Sequence, residues 1–392
     1  MSKGTIIYIG GFEMPDKNAA AQRVVANAKV LNSLGFKVVF IGVSKSIDEA
    51  IVKEKHFNSD VYVKKYPTGV KEWFKHWVSY KDYVKIVKSY KNVKGIIAYN
   101  FSSYSLYKLN TWAKKNQIKI ISDCTEWYEV AKGESFLKKR IKTFDIYTRM
   151  NIMHTKLDGA IVISNYLQSF YEKKGVKTIN IPPLVDSKAP KWLYQEQSVR
   201  IEQDRVEVIY VGSPFSIETK GQKDRLDNLV GMFIDLSSEI KVRLNIVGIE
   251  KEMFLEFYPD LQYNLEDEVV VFYGRKPHLE AVEMLKKCDF SIFLREDTLA
   301  NRAGFPTKFA EAITLGVPVL TNKSTNLSDF LIEGENGFWL DTSNSNSLKE
   351  SLRKALLTDR VKLNQMKKNT IKTELFDFRK YTSIFEAFLK EI

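Results

Sequence analysis

The chain has 392 residues, a length that sets an expectation of two domains or three. A hydrophobic fraction of 44% and a charged fraction of 28% are those of a soluble globular protein, and no apolar run is long enough to cross a bilayer. The net charge of +12 points to an anionic partner: nucleic acid, an anionic membrane or a phosphorylated substrate. Cys124 and Cys288 are the only cysteines and make no disulfide framework, so a reducing cytoplasm is the simplest expectation. The first residues run straight into a strand-like stretch, too short in its apolar part for a signal peptide.

Residues 5–11 read as a buried strand ending in Gly10-Gly11, and residues 19–34 as a helix with Val24, Ala28 and Leu31 on one face. Gly35 ends that helix and residues 37–43 form the next strand, a doubly wound beginning. No G-x-G-x-x-G follows the first strand, so a dinucleotide fingerprint is absent. Arg23 is placed to reach an anion, with a solvated arginine as its default reading. Strands are expected at 61–66, 95–99, 118–122, 159–164 and 178–181, with helices over 70–92, 104–115, 134–156 and 165–174.

Residues 70–95 carry seven lysines against Glu72 and Asp82, interleaved with Trp73, Phe74, Trp77, Tyr80, Tyr83 and Tyr90. Residues 136–156 add Lys138, Lys139, Arg140, Lys142, Arg149 and Lys156 against Asp145 alone. Such helices fit an anionic leaflet. A solvated basic face with its aromatics in the core is the plainer alternative. No recognisable nucleic-acid module accompanies the charge. Asp123 and Glu126 follow a strand end, where open α/β sheets bind ligands, although a loop with a helix cap reads equally well.

Residues 182–204 are rich in proline and polar residues and read as a linker. The alternation then restarts. Strands are expected at 206–211, 242–247, 269–273 and 290–294, with helices at 225–237 and 279–287. Residues 302–319 read as a glycine turn, a helix opened by Pro306 in its first turn and closed by Gly316, and a buried strand. Phe309 and Ile313 face the core, while Lys308 and Glu311 share a neighbouring face. Locally this is either a capped surface helix with a Lys–Glu pair or a grip for a nucleoside diphosphate. No sequence repeat links the halves.

Several marks in this order resemble the family 4 glycosyltransferases. They are Gly10-Gly11, residues 18–23, 123–127, 161–167 and 181–186, then 210–214, Lys223-Asp224, 305–311 and 316–319. The resemblance implies the GT-B fold: α/β, with two Rossmann-like doubly wound domains facing each other across a cleft. It places an acceptor-binding domain at 1–185, a linker at 186–204, a nucleotide-sugar domain at 205–375, and a last segment, 376–392, crossing back to the first domain. It implies a hexosyltransferase-like, nucleotide-sugar-dependent enzyme that transfers with retention and needs neither metal nor cofactor, with UDP as the commonest nucleotide. Glu311 matches the family's ribose-binding glutamate. The stretch Gly304, Phe305, Pro306 and Thr307 is expected to meet the diphosphate or sugar through the backbone N–H groups that it has, beside Gly212. The family's other glutamate falls on Ala303, and the arginine many relatives carry after the strand glycine falls on Ser213. Positive charge is then expected from Arg295 and Lys308, with Lys220 and Lys223 as further candidates between which the match does not decide. Glu126 and Asp123 are the catalytic candidates on the first domain, and Gly10, Gly11 and Arg23 line its cleft loop. The acceptor is expected to be a glycan or a polyprenyl-diphosphate-linked glycan in surface-polysaccharide synthesis at the inner face of the membrane. A non-catalytic partner subunit, a nucleotide-sugar epimerase and a nucleic-acid-binding protein are the other readings.

Overall fold

A computed structural model describes residues 2–15, 18–128, 136–193, 205–216, 221–222, 224–264 and 268–392. The chain divides into two compact units, Met1–Leu184 with Phe378–Ile392, and Val185–Asp377. The first unit contains β1 (Gly4–Gly10), α1 (Ala19–Ser33), β2 (Phe36–Ser44), β3 (Ile51–His56), β4 (Ser59–Lys65), α2 (Val70–Val78), α3 (Tyr80–Lys88) and β5 (Val93–Tyr99). It continues through α4 (Ser103–Lys115), β6 (Lys119–Cys124), α5 (Phe136–Thr148), β7 (Gly159–Val162), α6 (Asn165–Glu172) and β8 (Thr178–Asn180). Its eight strands lie in the order β3-β4-β2-β1-β5-β6-β7-β8, all parallel except β3.

Every residue of β1 is buried, as an inner parallel strand covered on both faces requires. The two-residue alternation splits it: Ile6 and Tyr8 join the core layer on one face, Ile7 and Ile9 the layer on the other. Asn18 caps α1 by accepting from the Ala21 N–H, and Ala21, Val24, Ala28 and Leu31 form the buried stripe.

Three departures from the sequence expectation stand out. β3 was not anticipated, and it pairs with β4 around Phe57 and Asn58, whose φ angles of 51° and 60° are those of a tight hairpin turn. The helix expected over 70–92 is two helices, parted at Ser79 (φ −84°, ψ 57°). Ser79 Oγ donates to Asp82 at 2.6 Å and Lys64 Nζ reaches the same carboxylate at 3.1 Å, which fixes the break. The helix expected over 134–156 is α5, followed by one wider turn at Arg149–Met153 and a tight turn at His154–Lys156.

The second unit contains β9 (Val206–Val211), the short hairpin β10 (Phe215–Ser216) and β11 (Gly221–Gln222), α7 (Leu226–Ser237), β12 (Val242–Val247), α8 (Lys251–Phe257), β13 (Val270–Phe272), α9 (His278–Lys286) and β14 (Phe290–Phe293). Then come α10 (Leu299–Ala303), α11 (Thr307–Thr314), β15 (Val319–Thr321), β16 (Gly337–Trp339), α12 (Ser345–Leu356) and α13 (Arg360–Lys372). The main sheet runs β13-β12-β9-β14-β15-β16 and is wholly parallel. Its first strand is therefore central, and the strand order reverses between β9 and β14. That is the switch point where open α/β sheets bind ligands. In the first unit the same reversal falls between β1 and β5.

The chain ends in α14 (Thr382–Glu391), which belongs to the first unit and buries Phe385 and Phe388 in its core. A Cβ on Gly159 would lie 2.8 Å from the Phe388 ring, so β7 needs a glycine where this helix lands.

Candidate functional site

The ends of β9 and β14 flank the switch point of the second unit. The backbone of Asp224 bridges that of Arg295, and Arg225 N–H donates to Leu294 at 3.0 Å. Asn322, just past β15, accepts from Arg295 N–H and donates to Arg295 C=O, both at 2.8 Å. The Arg295 side chain thus leaves from a clamped peptide. Asp224 lies buried beneath it. One carboxylate oxygen sits 2.5 Å from Lys308 Nζ and accepts from Tyr210 Oη at 2.8 Å. The other lies 3.4 Å from Arg295 Nε. Those last two atoms are buried and make no hydrogen bond, so the guanidinium keeps unused donor capacity.

The Lys308 ammonium also lies 4.2 Å from the centre of the Tyr210 ring. A Cβ on Gly212 would come within 3.0 Å of it, so the glycine leaves room for the lysine. Burial pushes the Lys308 ammonium below its ordinary value, and Asp224 only partly restores it. Burial pushes Asp224 upward, but the charges of Lys308 and Arg295 outweigh it and hold the carboxyl below its ordinary value. Burial, reinforced by Asp224, raises Tyr210 well above the usual phenol. Two cations against one carboxylate leave surplus positive charge at the strand ends.

The N-terminus of α11 opens beside Lys308. Pro306 is the residue preceding its first turn rather than part of it. Gly304 N–H is already taken by Ala300 C=O at 3.0 Å, and Pro306 has no N–H. The expectation of N–H groups from Gly304 to Thr307 therefore narrows to Phe305 and Thr307. The Phe305 ring is buried against Phe309, Phe330 and Phe376. Gly316 closes the helix with φ of 73°, as the sequence implied. Lys308 and Glu311 are directed to different partners rather than to each other, for Glu311 Oε1 lies 3.5 Å from His278 Nε2. His278 opens α9, and its ring meets Trp192 edge-on at 6.1 Å. Ala303 is fully buried on α10. Ser213 Oγ donates to Phe215 C=O at 2.7 Å and so shapes its loop. Lys220 and Lys223 lie outside the described residues.

The first unit corrects two expectations. Arg23 is buried, not solvated, and Asp123 is equally enclosed. Arg23 Nε and Nη2 lie 2.9 and 2.8 Å from Asp123 Oδ1, and Nη1 donates to Ile181 C=O at 2.9 Å. Tyr8 Oη donates to Asp123 Oδ2, and Asn27 Nδ2 donates to Tyr8 Oη at 3.1 Å. Asp123 thus ends in a closed knot with no face toward solvent. Glu126, three residues on, is exposed. Gly10 has φ of 148°, and a Cβ there would lie 1.9 Å from Tyr99 C=O, so this position admits only glycine. Gly11 is exposed, and its N–H donates to the same carbonyl at 3.3 Å.

The two units share a plan. Ile7-Tyr8-Ile9-Gly10 and Ile209-Tyr210-Val211-Gly212 occupy the first, central strand of each sheet. Each tyrosine hydroxyl donates to a buried aspartate that also holds a cation. Sequence reasoning overlooked this repeat, along with Asp224, Tyr210 and His278. The signals were the mark at 210–214, which begins with Tyr210, and the Lys223-Asp224 mark, whose lysine drew the attention.

Among the described residues, no three His, Cys, Asp or Glu side chains are placed to hold a metal ion, and no helix is long and apolar enough to cross a membrane.

Residues 195–373 match the family model described as glycosyl transferases group 1, a segment that takes in nearly all of the second unit. No curated protein matches the chain in sequence. Solved structures share its fold over almost its entire length. The sucrose-phosphate synthase of Thermosynechococcus elongatus is 14% identical with a TM-score of 0.69, covering 99% of each chain. The catalytic domain of starch synthase IV from Arabidopsis thaliana, solved with ADP and acarbose, is 11% identical at 0.70, again covering 99% of each. HepE of Anabaena, in complex with UDP, is 15% identical at 0.67, covering 99% of this chain and 100% of that one. The fold is GT-B, with two Rossmann-like units, and the family match together with it supports a nucleotide-sugar-dependent glycosyltransferase.

Proposed function

We propose that the chain is a retaining, metal-independent glycosyltransferase that moves a hexose from a nucleotide sugar, UDP-linked by preference, to a glycan or polyprenyl-diphosphate-linked acceptor in cell-surface polysaccharide synthesis. It would work in the cytoplasm at the inner face of the membrane. The observation that carries this reading is the surplus charge of Lys308 and Arg295 over Asp224 at the switch point, beside the start of α11. Breaking a glycosidic bond to a nucleoside diphosphate leaves negative charge on the departing phosphate. Cations and a helix N-terminus already fixed in place stabilise that charge without reorganising. Arg295 offers a forked donor and Lys308 a point charge. Glu311, one turn along α11, accepts from ribose hydroxyls, its carboxylate 3.5 Å from His278 Nε2. Phe305 and Thr307 supply backbone N–H groups. On the first unit Glu126 orients the acceptor hydroxyl, and Gly10 and Gly11 line the approach. Asp123 supports that loop from beneath through Tyr8 and Arg23. Structures of this fold solved with UDP and with ADP add weight to a nucleoside diphosphate as the ligand.

A thermal-shift panel of UDP-, GDP- and ADP-sugars tests the donor site, with and without EDTA. The wild type should be stabilised by one of them in the presence of EDTA, and Glu311→Ala should lose the shift. No stabilisation by any nucleotide, or an unchanged shift in Glu311→Ala, would overturn the assignment.

A further inference from the structure

The basic, aromatic stretches of the first unit separate into two kinds once folded. Helix α3 is an ordinary amphipathic helix: Tyr83, Ile86 and Val87 enter the core and its lysines stay in water. Helices α2, α4 and α5 differ. Residues 139–144 of α5 are exposed without a break, and six residues turn through more than a full circle, so that stretch buries no face on the protein. Yet it includes Ile141 and Phe144, exposed by 47% and 64%. Phe136 at the start of the helix is 72% exposed. Trp73 and Phe74 on α2, and Tyr104 and Tyr107 on α4, are also large exposed side chains.

Asp145 joins the three helices into one platform. It accepts from Trp77 Nε1 of α2 at 2.7 Å and from both the N–H and the hydroxyl of Ser103 at the start of α4, at 2.8 and 2.6 Å. Ser105 Oγ donates back to Trp77 C=O at 2.5 Å. The three helices carry nine Lys and Arg residues against Glu72 and Asp145, and Asp145 is spent on this joint. Cations are set beside rings: Arg140 lies 5.1 Å from the centre of Phe136, and Lys108 lies 5.6 Å from both Tyr104 and Tyr107.

We infer that this three-helix platform docks on the surface of an anionic lipid bilayer. Exposed aromatic rings ringed by cations match a headgroup layer, which is apolar beneath and negative above. The charge complementarity decides the occupant: a second copy of the chain would bring nine more cations to the same contact. The inference deepens the lipid-linked acceptor reading, but it is read on protein without nucleotide and so stands or falls apart from the donor site.

The test is co-sedimentation with vesicles of phosphatidylcholine alone and of phosphatidylcholine with about 30% phosphatidylglycerol, a fraction chosen to give the few-tens-of-millivolts surface of an anionic leaflet. Wild type should bind only the anionic vesicles, with a blue shift in tryptophan emission that 0.5 M salt suppresses, since the Debye length there is about half its physiological value. Replacing Lys139, Arg140 and Lys142 by glutamine should weaken binding about 100-fold, from roughly a factor of five for each cation. Phe136→Ala with Phe144→Ala should weaken it at unchanged charge. The control triplet on α3, Lys81, Lys85 and Lys88 to glutamine, should leave most of the binding. All these side chains are exposed, so the thermal midpoint should stay put. Equal losses from both triplets, no binding to anionic vesicles, or a dimer in light scattering that Phe144→Asp dissolves would each overturn the inference.

Discussion

Replacing Asp224 by asparagine probes the charge balance on which the candidate site depends. The change keeps the volume and one acceptor oxygen, but it takes from the largely buried Lys308 and Arg295 the carboxylate they share. Removing one member of such a set costs about 3 kcal/mol or more. The denaturant midpoint of the unliganded variant should fall accordingly. A nucleoside diphosphate brings back the missing negative charge. If half of the loss is recovered on binding, about 1.5 kcal/mol, UDP should bind the variant about tenfold more tightly than the wild type. At 100 times its dissociation constant a ligand stabilises by about 2.7 kcal/mol, so the recovery is readable in the same denaturation experiment. Lys308 is already pushed down by burial, and loss of Asp224 pushes it further. The tighter binding should therefore fade with rising pH sooner than in the wild type, and calorimetry at pH 6.5 and 8.5, about two units apart, separates the two. In the wild type the Asp224 carboxyl is held below the ordinary value of about 3.9. Its contribution is complete above that pH and is lost as pH falls through the folded-state value, an acid limb the variant should lack. UDP affinity that is unchanged or weaker at pH 6.5, with a normal denaturant midpoint, would refute the reasoning.

Asp123→Asn should cost about 3–5 kcal/mol in guanidinium denaturation, because it strands the buried Arg23; full stability with lost turnover would place Asp123 in the chemistry instead. His154 is buried against Tyr171 Oη at 2.7 Å, and burial, aided by Arg149, pushes it down to about 3. The unfolded chain takes up that proton near pH 6.5 and the folded chain does not, so stability should fall as pH drops from about 6.5 toward 3, by up to about 1.4 kcal/mol per pH unit. His154→Gln should make that limb shallower by one proton in thermal scans against pH. His76, pushed down to about 4 by burial, adds to the same limb and should remain visible in the variant.

The parallel strands were legible because buried inner strands are continuous apolar runs bounded by glycine. β3 was not, because Ile51–His56 has two apolar residues followed by a charged run and turns through Phe57-Asn58, without the Asn-Gly signal of a hairpin. The break at Ser79 contains no glycine or proline and depends on Lys64, fifteen residues earlier in the chain. Lys308, Glu311 and Arg295 could be picked out since a helix start and a strand end are local features. What joins them could not. Asp224 is separated from Lys308 by 84 residues, and only the fold shows that the carboxylate meets both cations. Arg23 was misread for the same reason: its partner is 100 residues away. The charge on α2 and α5 was plain, but α4 became part of that surface only through Asp145, 42 residues from Ser103.

The return of residues 378–392 to the first unit bears on how the protein is made. Phe378, Phe385 and Phe388 complete a core layer that begins with Ile6 and Tyr8, yet they are translated after every residue of the second unit. Domains ordinarily fold in the order of synthesis. Here the order is inverted: Val185–Asp377 has all its parts while the earlier unit still lacks a wall. Until α14 emerges, β7 and β8 lack its apolar cover over Gly159, a window for chaperone capture. A tag or fusion placed after Ile392 would act on that late closure, whereas one placed before β1 would not.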